Sequence, residues 1–272
     1  MPRFTISPQN HNISSWVYQL QNADFYELLE IDVDLLVIDP DDAGFTENQL
    51  NTLRESGKLI LAYLSIGKAE DYRGYWKKKW YENPPEWLGE ENPDWPGCYK
   101  VKYWYSEWQA IVYSRLNETI LNGYDGAYLD CIDAYEYWIE KGIDKAKELM
   151  IEFVISISEK AKSLKPGFLI FPQNCPELVA DSRYLNVIDG LGKEDTWYIG
   201  DEPRSQEDIE YDTYYLDLAV RKGKTVLVID YVTEQDKIID FFNKARERGY
   251  IPYVGPRELD KIGYYTPPSN ST

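Results

Sequence analysis

The chain has 272 residues, with Lys+Arg 29 against Asp+Glu 47 for a formal net charge of −18, and 15% aromatic residues including Tyr 24 and Trp 9. So acidic a surface repels nucleic acid and anionic lipid and favours a neutral or cationic ligand. Cys98, Cys131 and Cys175 form no CxxC pair and His11 is the sole histidine. A disulfide framework, a multi-His metal site and a His-based triad therefore drop out, and acid–base work falls to carboxylates. No cofactor is expected.

The length suits one domain, residues 1–272, with a large core, and lies near that of an α/β barrel. No apolar run reaches about 18 residues, so no membrane span is expected. The opening Met-Pro-Arg-Phe-Thr-Ile-Ser lacks the pattern of a signal peptide. A monomer is the expected state.

Short apolar, β-branched or aromatic runs recur along the chain, with helical segments between them. In order they are Trp16–Leu20, Leu35–Asp39, Leu59–Ser65, Ala127–Asp130, Phe168–Pro172, Val187–Gly190, Val226–Tyr231 and Ile251–Val254. Their continuous apolarity is that of parallel strands covered on both faces. Helices are predicted at Glu47–Ser56, Glu107–Leu121, Tyr135–Ser163, Gln206–Lys222 and Glu234–Arg248, most ending at a glycine stop signal. The first helix, near Phe25–Glu30, and the link between the fifth and sixth runs carry weaker signals. Eight alternations predict an α/β fold, a single (β/α)₈ TIM barrel, with a doubly wound sheet as the alternative. Residues 71–104 interrupt the pattern after the third strand and hold Trp76, Trp80, Trp87, Trp95 and Trp104. At that position, on the face where barrel chemistry occurs, the insertion reads as a binding wall.

Polar residues gather where the predicted strands end: Gln19, Asp39, Tyr63 and Ser65 with Glu70 beyond, Asp130 with Asp133, Gln173-Asn174, Glu194-Asp195, and Asp230-Tyr231. A single Asp at a strand end reads equally well as a helix cap; a ring of them on one rim points to a site. Paired carboxylates fit glycoside hydrolysis, and Tyr and Trp faces suit sugar rings. A hard cation held by Asp39, Asp130, Glu194 and Asp230 is the competing reading, although no DxDxDG-type loop is present.

Trp16-Val-Tyr-Gln-Leu-Gln, Val37-Ile-Asp-Pro, Ala62-Tyr-Leu-Ser-Ile-Gly-Lys-Ala-Glu-Asp-Tyr-Arg and Gly123-Tyr-Asp-Gly-Ala-Tyr-Leu-Asp resemble glycoside hydrolase family 114. The resemblance runs from about Trp16 to Tyr253. It implies a TIM barrel, an extracellular or cell-surface location, and endo-α-1,4-polygalactosaminidase activity. It also places the nucleophile at Asp130 and the acid/base at Glu194, with Asp195 adjacent to the latter. Asp39, Tyr63, Ser65, Glu70, Asp133, Asn174, Asp230 and Tyr231 are then expected to contact a polysaccharide or oligosaccharide, with structural hydrogen bonds as the alternative for each. A cationic, partly de-acetylated glycan agrees with the net charge. A non-catalytic carbohydrate-binding protein on the same barrel stays open, as does a cytoplasmic location.

Overall fold

A computed structural model describes residues 13–266; residues 1–7 and His11, read above, lie outside them. Eight parallel strands follow one another in chain order. They are β1 (Trp16–Gln19), β2 (Leu35–Ile38), β3 (Leu59–Ser65), β4 (Gly126–Asp130), β5 (Leu169–Pro172), β6 (Gly190–Glu194), β7 (Thr225–Asp230) and β8 (Ile251–Val254). β1 to β5 form one ladder and β6 to β8 another. A bridge between Gln173 and Gly192 joins them. The last seam, from β8 back to β1, is closed by side chains. The Trp16 indole Nε1 donates to the Ile251 carbonyl at 2.9 Å, and its ring lies 5.6 Å from that of Tyr253. The architecture is a (β/α)₈ TIM barrel. Among the described residues, no helix is long and apolar enough to cross a membrane.

The sixth strand is the main departure from expectation. Val187 ends a helix, Ser182–Val187, and the strand runs over Gly190–Glu194 instead. Its glycines are a packing requirement. A Cβ on Gly190 would stand 2.0 Å from the Phe171 ring, and one on Gly192 would stand 1.9 Å from the Tyr128 hydroxyl. Large inward rings elsewhere thus force bare backbone on β6. The single helix expected over Tyr135–Ser163 is two, Ala134–Glu140 and Ala146–Leu164, separated where Gly142 takes φ 85°. The second buries Met150, Phe153, Val154, Ile157 and Ala161 against the sheet. That is helical spacing, and each large side chain contributes about 1.5–3 kcal/mol.

Rings fill the barrel centre. Trp16, Tyr18, Tyr128 and Tyr253 are all fully or almost fully buried, with Tyr18 5.2 Å from Tyr128 and Trp16 6.2 Å from Tyr128. β1 and β4 thereby touch through the middle of the barrel. This accounts for part of the aromatic content that composition alone had pointed towards sugar.

The insertion after β3 is a small antiparallel sheet of Lys68–Glu70, Cys98–Val101 and Leu88–Glu91. Its tryptophans face one another rather than a ligand. Trp76 and Trp80 lie 5.2 Å apart, Trp80 and Trp87 5.1 Å, and Trp87 and Trp108 5.1 Å. Only Trp95 of the five is largely exposed, at 60%. The expected binding wall is therefore mostly a self-packed core of its own.

Candidate active site

Tyr128 and Asp130 are two apart on β4, so both point to the same side, into the barrel. Asp130 ends the strand, and the chain leaves it through Cys131 at φ 63°. The Tyr63 hydroxyl, from β3, donates to Asp130 Oδ2 at 2.6 Å. Burial, and after it the charge of Glu194, pushes the Asp130 pKa up to about 6, while the Tyr63 hydroxyl opposes the rise.

Glu194 ends β6 by the same alternation from Gly190 and Gly192. Its Oε2 accepts from Asn174 Nδ2 at 3.1 Å, and its backbone N–H donates to Asn174 Oδ1 at 3.0 Å. The Tyr231 hydroxyl donates to its other oxygen. The neighbouring carboxylate has a different partner. Arg257 holds Asp195 through both oxygens, at 2.9 and 2.7 Å, and lies 4.0 Å over the Tyr231 ring. The sequence left Glu194 and Asp195 hard to separate. In the fold, Asp195 at φ 50° is tied to Arg257, while Glu194 joins the Asn174–Tyr231 group.

The two carboxylates share surroundings. The charges of both Asp130 and Glu194 bear on the buried Tyr18 and Tyr128 hydroxyls, which burial first of all holds protonated. Tyr18 also donates to Gln173 Oε1 at 2.9 Å. Asp133, Asn174 and Glu194 line an open cleft of about 430 Å³, with Glu136, Glu177, Lys193, Arg204 and Tyr211 among the other wall residues. Asp130 is outside that lining. A larger cavity, about 560 Å³, lies at the opposite end of the barrel around Ser14, Asp34 and Ile251. It contains none of the strand-end carboxylates.

Backbone strain gathers on the same rim. The described non-glycine residues with left-handed φ are Asn22, Cys131, Asn174, Cys175, Asp195 and Leu259. Each lies in a loop leaving the C-terminal end of a strand, and such conformations persist where the surrounding structure fixes them.

The remaining strand-end residues have structural partners. Asp39 caps the short helix Pro40–Ala43 through Asp41 N and pairs with Arg73, at 2.8 and 2.7 Å. Glu70 accepts from Arg73 Nε at 2.7 Å and from the Tyr72 hydroxyl at 2.6 Å. Asp39, Glu70 and Arg73 are all buried, so a sugar would have to compete with an ion pair already satisfied. Asp230 is wholly buried and accepts from the N–H groups of Thr196, Trp197 and Tyr198 at 2.6, 2.9 and 3.0 Å. It organises the loop after β6 rather than facing ligand. Ser65 Oγ donates to the Lys68 carbonyl at 3.0 Å. Asp133 is exposed on the cleft wall. With Asp39 and Asp230 committed elsewhere, the four-carboxylate cation site does not assemble. Sequence reasoning missed Tyr18, Arg73 and Arg257. Tyr18 had a signal, two residues after Trp16 on an inward strand face; Arg73 stood at the end of a segment that carries the family resemblance, and Arg257 lies in a loop and carried none.

A profile of the glycoside-hydrolase family GH114 matches residues 3–269. The chain belongs to this family. It is 42% identical to an uncharacterized protein of Methanocaldococcus jannaschii, over 94% of this chain and 80% of that one. The glycoside hydrolase domain of PelA from Pseudomonas aeruginosa superposes with a TM-score of 0.75 at 19% identity, covering 93% of this chain and 98% of the other. Aspergillus fumigatus Ega3, solved in complex with galactosamine, superposes with a TM-score of 0.76 at 16% identity, over 96% and 98%. At those identities the likeness is one of fold. GH114 membership makes this barrel a glycoside hydrolase by family.

Proposed function

We propose that the protein is an endo-acting glycosidase that cleaves an α-1,4-linked, galactosamine-rich polysaccharide with retention of configuration. Asp130 is the nucleophile and Glu194 the acid/base. The observation that carries the reading is that Asp130 and Glu194 end β4 and β6, each bound by a tyrosine hydroxyl, with the charge of Glu194 felt at Asp130.

In the first step an Asp130 oxygen attacks the anomeric carbon. The bond from that carbon to the leaving sugar oxygen breaks, and Glu194 gives its proton to that oxygen. In the second, Glu194 takes a proton from water, the water oxygen attacks the same carbon, and the bond to Asp130 breaks. Retention calls for the two carboxyls to stand about 5–5.5 Å apart. Asn174 and Tyr231 aim Glu194, Tyr63 aims Asp130, and Arg257 keeps Asp195 out of the reaction. The exposed ring of Tyr211 on the cleft wall offers a face for a neighbouring sugar. An acidic cleft and a net charge of −18 suit a polymer with free amines. An extracellular or cell-surface location and a monomeric state belong to the same proposal.

Release of new reducing ends from galactosamine and glucosamine polymers, acetylated and not, tests the reading. Cleavage of the galactosamine polymer is expected, undiminished by EDTA and abolished by Asp130→Asn or Glu194→Gln. Binding without any new reducing ends would leave a carbohydrate-binding protein instead, and loss of activity in EDTA would revive a metal mechanism.

A further inference from the structure

We propose that Glu136, Cys175 and Glu177 form a site for one divalent cation of borderline softness, such as Zn²⁺, on the wall of the cleft. Among the described residues, this is the one group of three such side chains whose ligand atoms all lie within 4.8 Å of one another. A tetrahedral zinc with bonds of about 2.0–2.3 Å spaces its ligands about 3.5 Å apart. The closure needed is small, and Glu136 is exposed and free to supply it.

The parts differ in the way such a site requires. Cys175 is buried and brings a soft ligand at a fixed place, because its backbone is locked at φ 49°. Glu177 is oriented by the Tyr135 hydroxyl. Glu136 faces solvent and gives the ion a way in. The nearest competing cation, Lys147 Nζ, stands 3.8 Å from Glu177 Oε1, too far for a tight pair.

An independent feature points to a missing ligand. Tyr184 is fully buried and its hydroxyl has no hydrogen-bond partner among the described residues. Burial above all pushes its pKa up, with Glu177 and Cys175 among the ionisable groups that add to the rise. A buried hydroxyl without a partner is costly, and a water carried on the cation would supply one. Three protein ligands and a water is a common zinc arrangement.

This site does not rest on the hydrolase reading. It adjoins that chemistry only through the chain, since Cys175 follows Asn174, whose amide holds Glu194. Titration of the reduced, full-length protein with Co²⁺ tests it. A thiolate-to-cobalt charge-transfer band should grow and saturate at one equivalent. Cys175→Ser should abolish the band, and Glu136→Gln, on the surface and harmless to folding, should weaken Co²⁺ binding at least about tenfold. A wild-type protein that shows no band overturns the proposal. So does a band that survives in Cys175→Ser, which would assign it to Cys98 or Cys131.

Discussion

Tyr63 donates a 2.6 Å hydrogen bond to Asp130 across the β3–β4 ladder. It comes from the residue paired in register with Tyr128, two positions before Ser65, which pairs with Asp130. This donor stabilises the ionised form of a carboxyl that burial and Glu194 otherwise drive towards protonation.

Hydrolysis should therefore show an acid limb. A nucleophile must be ionised, and with a pKa of about 6 at Asp130, kcat/KM should fall about tenfold per pH unit below that value. Tyr63→Phe removes a hydrogen bond to a charged group, worth about 1.5–3 kcal/mol, so the limb should move up by about one to two units. A pH–rate profile unchanged by Tyr63→Phe would contradict this account.

Stability should run against activity at the same residue. The folded pKa of Asp130 lies above the ordinary carboxylate value. Folding thus favours the protonated acid: the advantage is complete below about pH 4 and lost as pH rises through about 6. At pH 7 Asp130→Asn, which keeps the shape and removes the charge, should stabilise the fold by about 2–3 kcal/mol. Urea unfolding of the two proteins at pH 7 and pH 4 checks it; the gain should shrink at the lower pH.

Arg257→Ala should cost activity without touching either proposed catalytic carboxyl. It frees Asp195 and removes the guanidinium stacked 4.0 Å from the Tyr231 ring. If the loss lets Tyr231 and Glu194 shift by about 1 Å, the rate should fall about 10²-fold. The drop should appear in kcat, with thermal unfolding little changed; a rate equal to wild type would separate Arg257 from the site.

Gly192→Ala should destabilise by about 1–3 kcal/mol, because its methyl group meets the Tyr128 hydroxyl at 1.9 Å. That hydroxyl has no hydrogen-bond partner among the described residues, so Tyr128→Phe should be nearly neutral and should rescue Gly192→Ala in part. Strictly additive effects in chemical denaturation would count against this contact.

The barrel was legible because parallel strands write themselves as apolar runs. β3 and β8 carry the predicted bounds, and most others differ by a residue. β6 was misplaced for a physical reason. Its Gly-Leu-Gly sequence has poor strand propensity, and its glycines exist to admit Tyr128 and Phe171 from other strands. Asp39, Glu70 and Asp230 show the parallel limit at the rim. Position at a strand end was readable, but the occupants of their oxygens were not. Arg73 reaches Asp39, and the N–H groups of Thr196, Trp197 and Tyr198 reach Asp230, only through the tertiary fold, whereas Arg73 lies just three residues from Glu70. The tryptophans of the insertion misled for a similar reason, since composition cannot tell rings that meet each other from rings that await a guest.

The stack of Trp16, Tyr18, Tyr128 and Tyr253 also stoppers the barrel from below. Among the described residues, fully or almost fully buried rings then lie beneath Asp130 and Glu194. The approach left for a hydrolytic water, and for a proton exchanged with bulk, is then the same mouth that a polymer chain would cover. Traffic at that opening would set the pace at which a captured chain is turned over.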